Sequence, residues 1–76
     1  MMKRNYYRGE IETSLGHLFS CFIEAPDSLN AENQLIAFYE GNVSRELGDI
    51  ESSSIITIDS NEYYGIKHKS TSAIFI

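Results

Sequence analysis

The chain has 76 residues, 42% of them apolar, enough for one modest core whose stability is marginal unless something else supports it. A single cysteine, Cys21, excludes an intrachain disulfide, and no stretch approaches the roughly 20 apolar residues of a membrane span. The formal charge is −5, and all 11 acidic residues fall between Glu10 and Glu62.

The segment "NYYRGEIETSLGHLFSCFIEA" predicts two strands around a turn. Tyr7, Gly9, Ile11 and Thr13 alternate with Tyr6, Arg8, Glu10 and Glu12, the two-residue period of a half-buried strand. Gly9 in mid-strand points to a bulge or a close approach. The turn falls at Ser14 to Gly16, where the glycine permits a positive φ. His17 to Ala25 then sets Phe19, Cys21 and Ile23 on one face and Leu18, Ser20, Phe22 and Glu24 on the other.

Pro26 and Asp27 end that strand, and Ser28 is the expected N-cap of a helix of about three turns. Ala31, Leu35 and Phe38, widened by Ile36 and Tyr39, form its apolar stripe. Asn30, Glu32, Asn33, Gln34 and Glu40 form its outer face, and Gly41 is the expected C′ stop. "NVSRELGDIESSS" reads either as a short turn capped by Ser44 and ended by Gly48, or as a loop. "SIITID" and "EYYGIKHK" predict a hairpin around Ser60 and Asn61, and "STSAIFI" a last strand after a turn near Ser70. The expected fold is α+β and two-layered: an antiparallel sheet of about five strands in ββαβββ order, one helix on one face, a single domain over 1–76. The terminal strand is a candidate edge through which a homodimer would form.

Chemistry is poorly provided for. His17, Cys21 and His68 are the only soft metal ligands, and Lys67 and Lys69 flank His68, so no metal site is expected. Cys21 reads as a small core residue. No serine sits in a nucleophile-elbow context, and Glu10 with Glu12 has little cavity in which to shift its acidity. The expectation is a protein with no catalytic residues and no cofactor. "MMKRNYY" has no apolar run behind its basic opening, so a cytoplasmic location is expected.

Between Glu10 and Glu62 the only basic residue is Arg45, so eleven acids against one arginine leave that span at −10. Lys3, Arg4, Arg8, Lys67 and Lys69 near the ends restore part of the balance. Basic ends with Tyr6 and Tyr7 among them suit a small nucleic-acid-binding regulator. The acidic middle opposes direct nucleic-acid binding and suits a protein partner with a basic surface. Glu32, Glu40, Glu46, Asp49 and Glu51 are the charged candidates for such contact, with Tyr6 and Tyr64 as candidate anchors. The alternative role of the acids is solubility alone, and a structural homodimer with no activity of its own is a third reading.

The stretch "IEAPDSLNAENQLIAFYE" resembles small anti-CRISPR proteins of phages and mobile elements that inhibit type I complexes. Ile23, Glu24, Ala25, Ser28 and Leu29 carry the resemblance, with Ala31 one place early. It covers the second strand and the helix. It implies a small α+β protein that works by occluding another protein's surface; the acidic span is what suggests that this surface is basic and binds nucleic acid. That group uses basic residues near its binding face whereas this chain is acidic, so no binding residue is transferred.

Overall fold

A computed structural model describes residues 4–69 and 72–76. The elements run β1 (Asn5–Thr13), β2 (Leu18–Ala25), α1 (Ser28–Asn42), α2 (Ser44–Leu47), β3 (Ile50–Ile58) and α3 (Ser60–Lys69). The three strands form one antiparallel sheet in the order β2-β1-β3, so the most amphipathic strand lies in the centre. The α+β class stands, with three strands among the described residues instead of about five and the order ββααβα instead of ββαβββ.

Alternation along β1 and β2 builds the core. Tyr7, Ile11 and Thr13 from β1 and Phe19, Cys21, Ile23 and Ala25 from β2 are buried on one face. Against them α1 lays Ala31, Leu35 and Tyr39, all fully buried, with Phe38 beside them. Gly9 is the point of closest approach. A β-carbon there would stand 3.0 Å from Ile23 Cδ1 and from one δ-carbon of Leu35, and 3.1 Å from the other. The hairpin turn is as expected, with Gly16 at φ 82°.

Helix α1 starts one residue earlier than expected and ends later. Asp27, not Ser28, is the N-cap: its side chain accepts a hydrogen bond from the Asn30 amide at 2.7 Å. Gly41 is inside the helix instead of ending it. The stop falls at Val43, whose amide donates to the Tyr39 carbonyl, while the Asn42 side chain donates to the Phe38 carbonyl. The following turn is α2, ended by Gly48, one of the two forms left open for that segment.

The main correction concerns the second half of the chain. "EYYGIKHK" is not a hairpin arm but the body of α3. Asp59 caps it, accepting from the Glu62 amide on its side chain at 2.7 Å and from the Tyr63 amide on its carbonyl at 3.1 Å. Tyr63 is buried, its ring 4.6 Å from that of Tyr6 and 5.3 Å from that of Phe75. Tyr6 faces away from the buried Tyr7, so α3 docks on the sheet face opposite α1. The strand before it is longer than expected, because β3 begins at Ile50 and includes the three serines.

"STSAIFI" supplies no full strand among the described residues. Phe75 makes one parallel bridge to Phe22, with the Phe22 amide donating to Ile74 and the Ile76 amide donating to Phe22. This clips the tail to the outer edge of β2. The turn expected near Ser70 lies outside the described residues. Among the described residues the sheet therefore has one edge occupied at its middle and no strand paired on the other, β3.

Candidate protein-binding surface

The five acidic candidates follow the chain from α1 through α2 to the start of β3. Glu32 is half-buried near the N-terminal end of α1, while Glu40, Glu46, Asp49 and Glu51 are exposed. Backbone contacts hold this path in place. The Ser14 amide donates to the Asp49 carbonyl, the Asp49 amide donates to Ser14 Oγ, and the Tyr39 hydroxyl donates to the Gly48 carbonyl at 2.6 Å. Among the described residues none of the five makes an ion pair, the two pairs being Arg4 with Glu24 and Arg8 with Glu10. Unpaired acids held on a fixed backbone direct their field outward into solvent.

Beside them lies a groove that the sequence did not reveal. Ser28, Leu29 and Glu32 of α1 face Ser53, Ser54 and Ile55 of β3 across a cleft of about 420 Å³. Leu29 is 68% exposed at its rim, an apolar side chain with little cover. The spacing of Leu29 and Glu32 puts both on one face of the helix, an i, i+3 pair. Leu29 belongs to neither the apolar stripe nor the outer face read from the sequence, so no pattern there pointed to the groove.

The two tyrosine candidates sit elsewhere. Tyr6 and Tyr64 share a hydroxyl–hydroxyl hydrogen bond of 3.2 Å, and their rings meet edge to face at 5.5 Å. They occupy the face opposite α1, so they do not join the acids in one site. The Tyr6 hydroxyl is pushed up to about 12, first by its hydrogen bond to Tyr64. Tyr63 is raised by burial and by nearby Glu24. Tyr64 is 41% exposed and remains accessible to a partner on that face.

Three residues of the basic ends make internal contacts. Arg4 pairs with Glu24 at 3.3 Å, Arg8 with Glu10 at 3.6 Å, and Lys67 Nζ lies 5.6 Å from the ring centres of both Tyr63 and Phe75. Cys21 is fully buried and its thiol is pushed up to about 11 by burial. A thiol in that state is a core atom, not a nucleophile. Among the described residues no three His, Cys, Asp or Glu side chains converge on a metal site, and no helix is long and apolar enough to cross a membrane. No family model matches this chain, and no curated protein or solved structure is significantly similar to it.

Proposed function

We propose that this protein is a non-enzymatic protein-binding module whose acidic side covers a basic, nucleic-acid-binding surface of a partner. The observation that carries the reading is the run of Glu32, Glu40, Glu46, Asp49 and Glu51, none ion-paired among the described residues, on a tightly anchored path. Fixed acids of this kind present a negative surface, and complementary charge sets the encounter rate and the register of docking. An inhibitor of a host defence complex, encoded by a phage or mobile element, is the biological setting that the resemblance to anti-CRISPR proteins suggests. The competing reading, direct nucleic-acid binding through the basic ends, is weakened because Arg4, Arg8 and Lys67 are spent on internal contacts.

The test is competition. The partner is purified from the native host on the immobilised protein, identified, and assayed for nucleic-acid binding with and without the free protein. Wild type displaces the nucleic acid, and the combined Glu32→Lys, Glu46→Lys, Glu51→Lys variant, folded by far-UV circular dichroism, does not. A variant that displaces it equally well refutes the reading.

A further inference from the structure

The β3 edge has properties that natural sheets avoid. It is nine residues long, and no charged residue lies between Glu51 and Asp59. Edge strands are ordinarily protected by a central lysine, a proline, a bulge or a cover. Here the one irregularity, at Glu12/Thr13, lies at the far end of the β1–β3 ladder.

The direction of the free backbone groups follows from the opposite edge. Phe22 uses its amide and carbonyl outward, on the tail, so the Arg8–Phe22 pair exchanges no ladder hydrogen bonds. Arg8 therefore directs its amide and carbonyl toward β3, where its partner is Ile56. The groups of Ser52, Ser54, Ile56 and Ile58 point inward to β1 by the same alternation. Those of Ser53, Ile55 and Thr57 point outward, unpaired by any strand among the described residues. The side chains of these three residues lie on the α1 side, because Ile55 is opposite Gly9 and Ser53 is opposite the buried Ile11. An added strand would thus find hydrogen-bonding partners at the edge and the Leu29–Glu32 groove directly above it.

We propose that the β3 edge takes up an extended segment of a partner protein as a fourth full strand, β-branched or apolar in its middle and carrying Lys or Arg at both ends. This rests on the reading of the acidic side as a surface for a basic protein. The middle of the segment pairs with Ser53, Ile55 and Thr57, and one apolar side chain settles against Leu29 and Ile55 in the groove. A neighbouring cation reaches Glu32. The basic ends meet Asp49 and Glu51 at one end of β3 and Asp59 and Glu62 at the other. Main-chain bonds supply affinity and alternate side chains supply specificity, as in other strand additions.

Charge decides against a second copy of this chain as the occupant. Two copies at −5 each repel, and the antiparallel register that overlaps all of β3 with itself sets Asp49 opposite Asp59; of the two registers next to it, the one centred on Ile55 sets Glu51 opposite Asp59 and the one centred on Ser53 sets no acids face to face. Like charges directly opposite one another oppose pairing.

The test uses a synthetic probe, acetyl-Lys-Lys-Val-Thr-Val-Thr-Val-Lys-Lys-amide, titrated calorimetrically into the full chain. Its counterpart has all four lysines replaced by glutamate. Ser53→Pro and Thr57→Pro remove outward amides without removing a β1 ladder bond, and melting curves confirm that each variant folds. Binding of the lysine probe, none of the glutamate probe, and a loss of about tenfold or more in each proline variant support strand addition. Binding unaffected by both prolines but abolished by Glu32→Lys with Glu51→Lys overturns strand addition and leaves the acidic surface standing. No binding of the lysine probe overturns strand addition. Equal binding of the two probes overturns strand addition and the acidic reading together. A protein dimer that Ser53→Pro dissociates overturns the choice of occupant.

Discussion

Replacing Gly9 by alanine tests how the helix sits on the sheet. The added methyl would lie 3.0 Å from Ile23 Cδ1 and from one δ-carbon of Leu35, and 3.1 Å from the other. Both side chains are fully buried, so their tips have little space into which to retreat. Overpacking of this kind costs about 1–3 kcal/mol. Restricting the unfolded chain by Gly→Ala returns about 0.4–1 kcal/mol. The balance is a destabilisation of about 1–2 kcal/mol, out of about 4–11 kcal/mol expected for a chain of this length. Urea denaturation reads it as a lower midpoint at unchanged slope, and thermal melting as a drop of about 4–8 °C per kcal/mol. Leu35→Val removes both δ-carbons, so Gly9→Ala costs measurably less in that background, a coupling that a double-mutant cycle resolves. A neutral or stabilising Gly9→Ala, or strict additivity with Leu35→Val, refutes the close approach.

Three further predictions concern the caps and the tyrosines. Asp27→Ala costs about 1 kcal/mol because it removes the acceptor for the Asn30 amide, whereas Ser28→Ala stays within about 0.5 kcal/mol; equal losses in urea melts contradict the cap assignment. Tyr39→Phe keeps the ring but strands the Gly48 carbonyl, at about 1–3 kcal/mol by the same assay. The third is alkaline sensitivity. Tyr6, Tyr39 and Tyr63 are all raised, by the Tyr64 hydrogen bond for the first and chiefly by burial for the other two. Unfolded tyrosines titrate near ~10, so the native state holds more protons above that value. Stability is therefore fully present below pH ~10 and falls as pH rises toward about 12, where Tyr6 ionises. Urea midpoints across that range check it, and a flat profile refutes it.

How far the sequence spoke for itself differs between its halves. In the first half the period-2 alternation of Tyr7 to Thr13 agrees with the fold, and the helical stripe of Ala31, Leu35 and Phe38, widened by Ile36 and Tyr39, does so with Tyr39 fully buried and Phe38 and Ile36 half-buried, because both patterns report burial directly. Gly9 was legible as either a bulge or a close approach, and the second holds, with Leu35 and Ile23 as the partners the sequence did not name. The second half misled because "EYYGIKHK" carries two tyrosines and an isoleucine, which suit a strand by propensity. The contrary signal was present: Asp59 with Glu62 three residues on is a helix-start pattern, and Lys67, His68 and Lys69 complement the negative end of the helix. Burial of Tyr63 against Tyr6 and Phe75, a long-range contact invisible to local reading, decides between them. The acids of the candidate surface were legible as charge. Their separation from Tyr6 and Tyr64 was not, because it depends on which sheet face each helix takes. The groove and the bare edge emerge only from strand order, with β3 outermost.

The open edge of β3 can be read one amide at a time by hydrogen exchange, followed by NMR in the free chain and with the lysine-flanked probe. In the free chain Ser54 and Ile56 exchange slowly, bonded to β1, while Ser53, Ile55 and Thr57 exchange fast. Adding the probe slows those three and leaves Ser54 and Ile56 unchanged. Protection of Ser53, Ile55 and Thr57 already present in the free chain, or none gained while the probe is bound, contradicts the account.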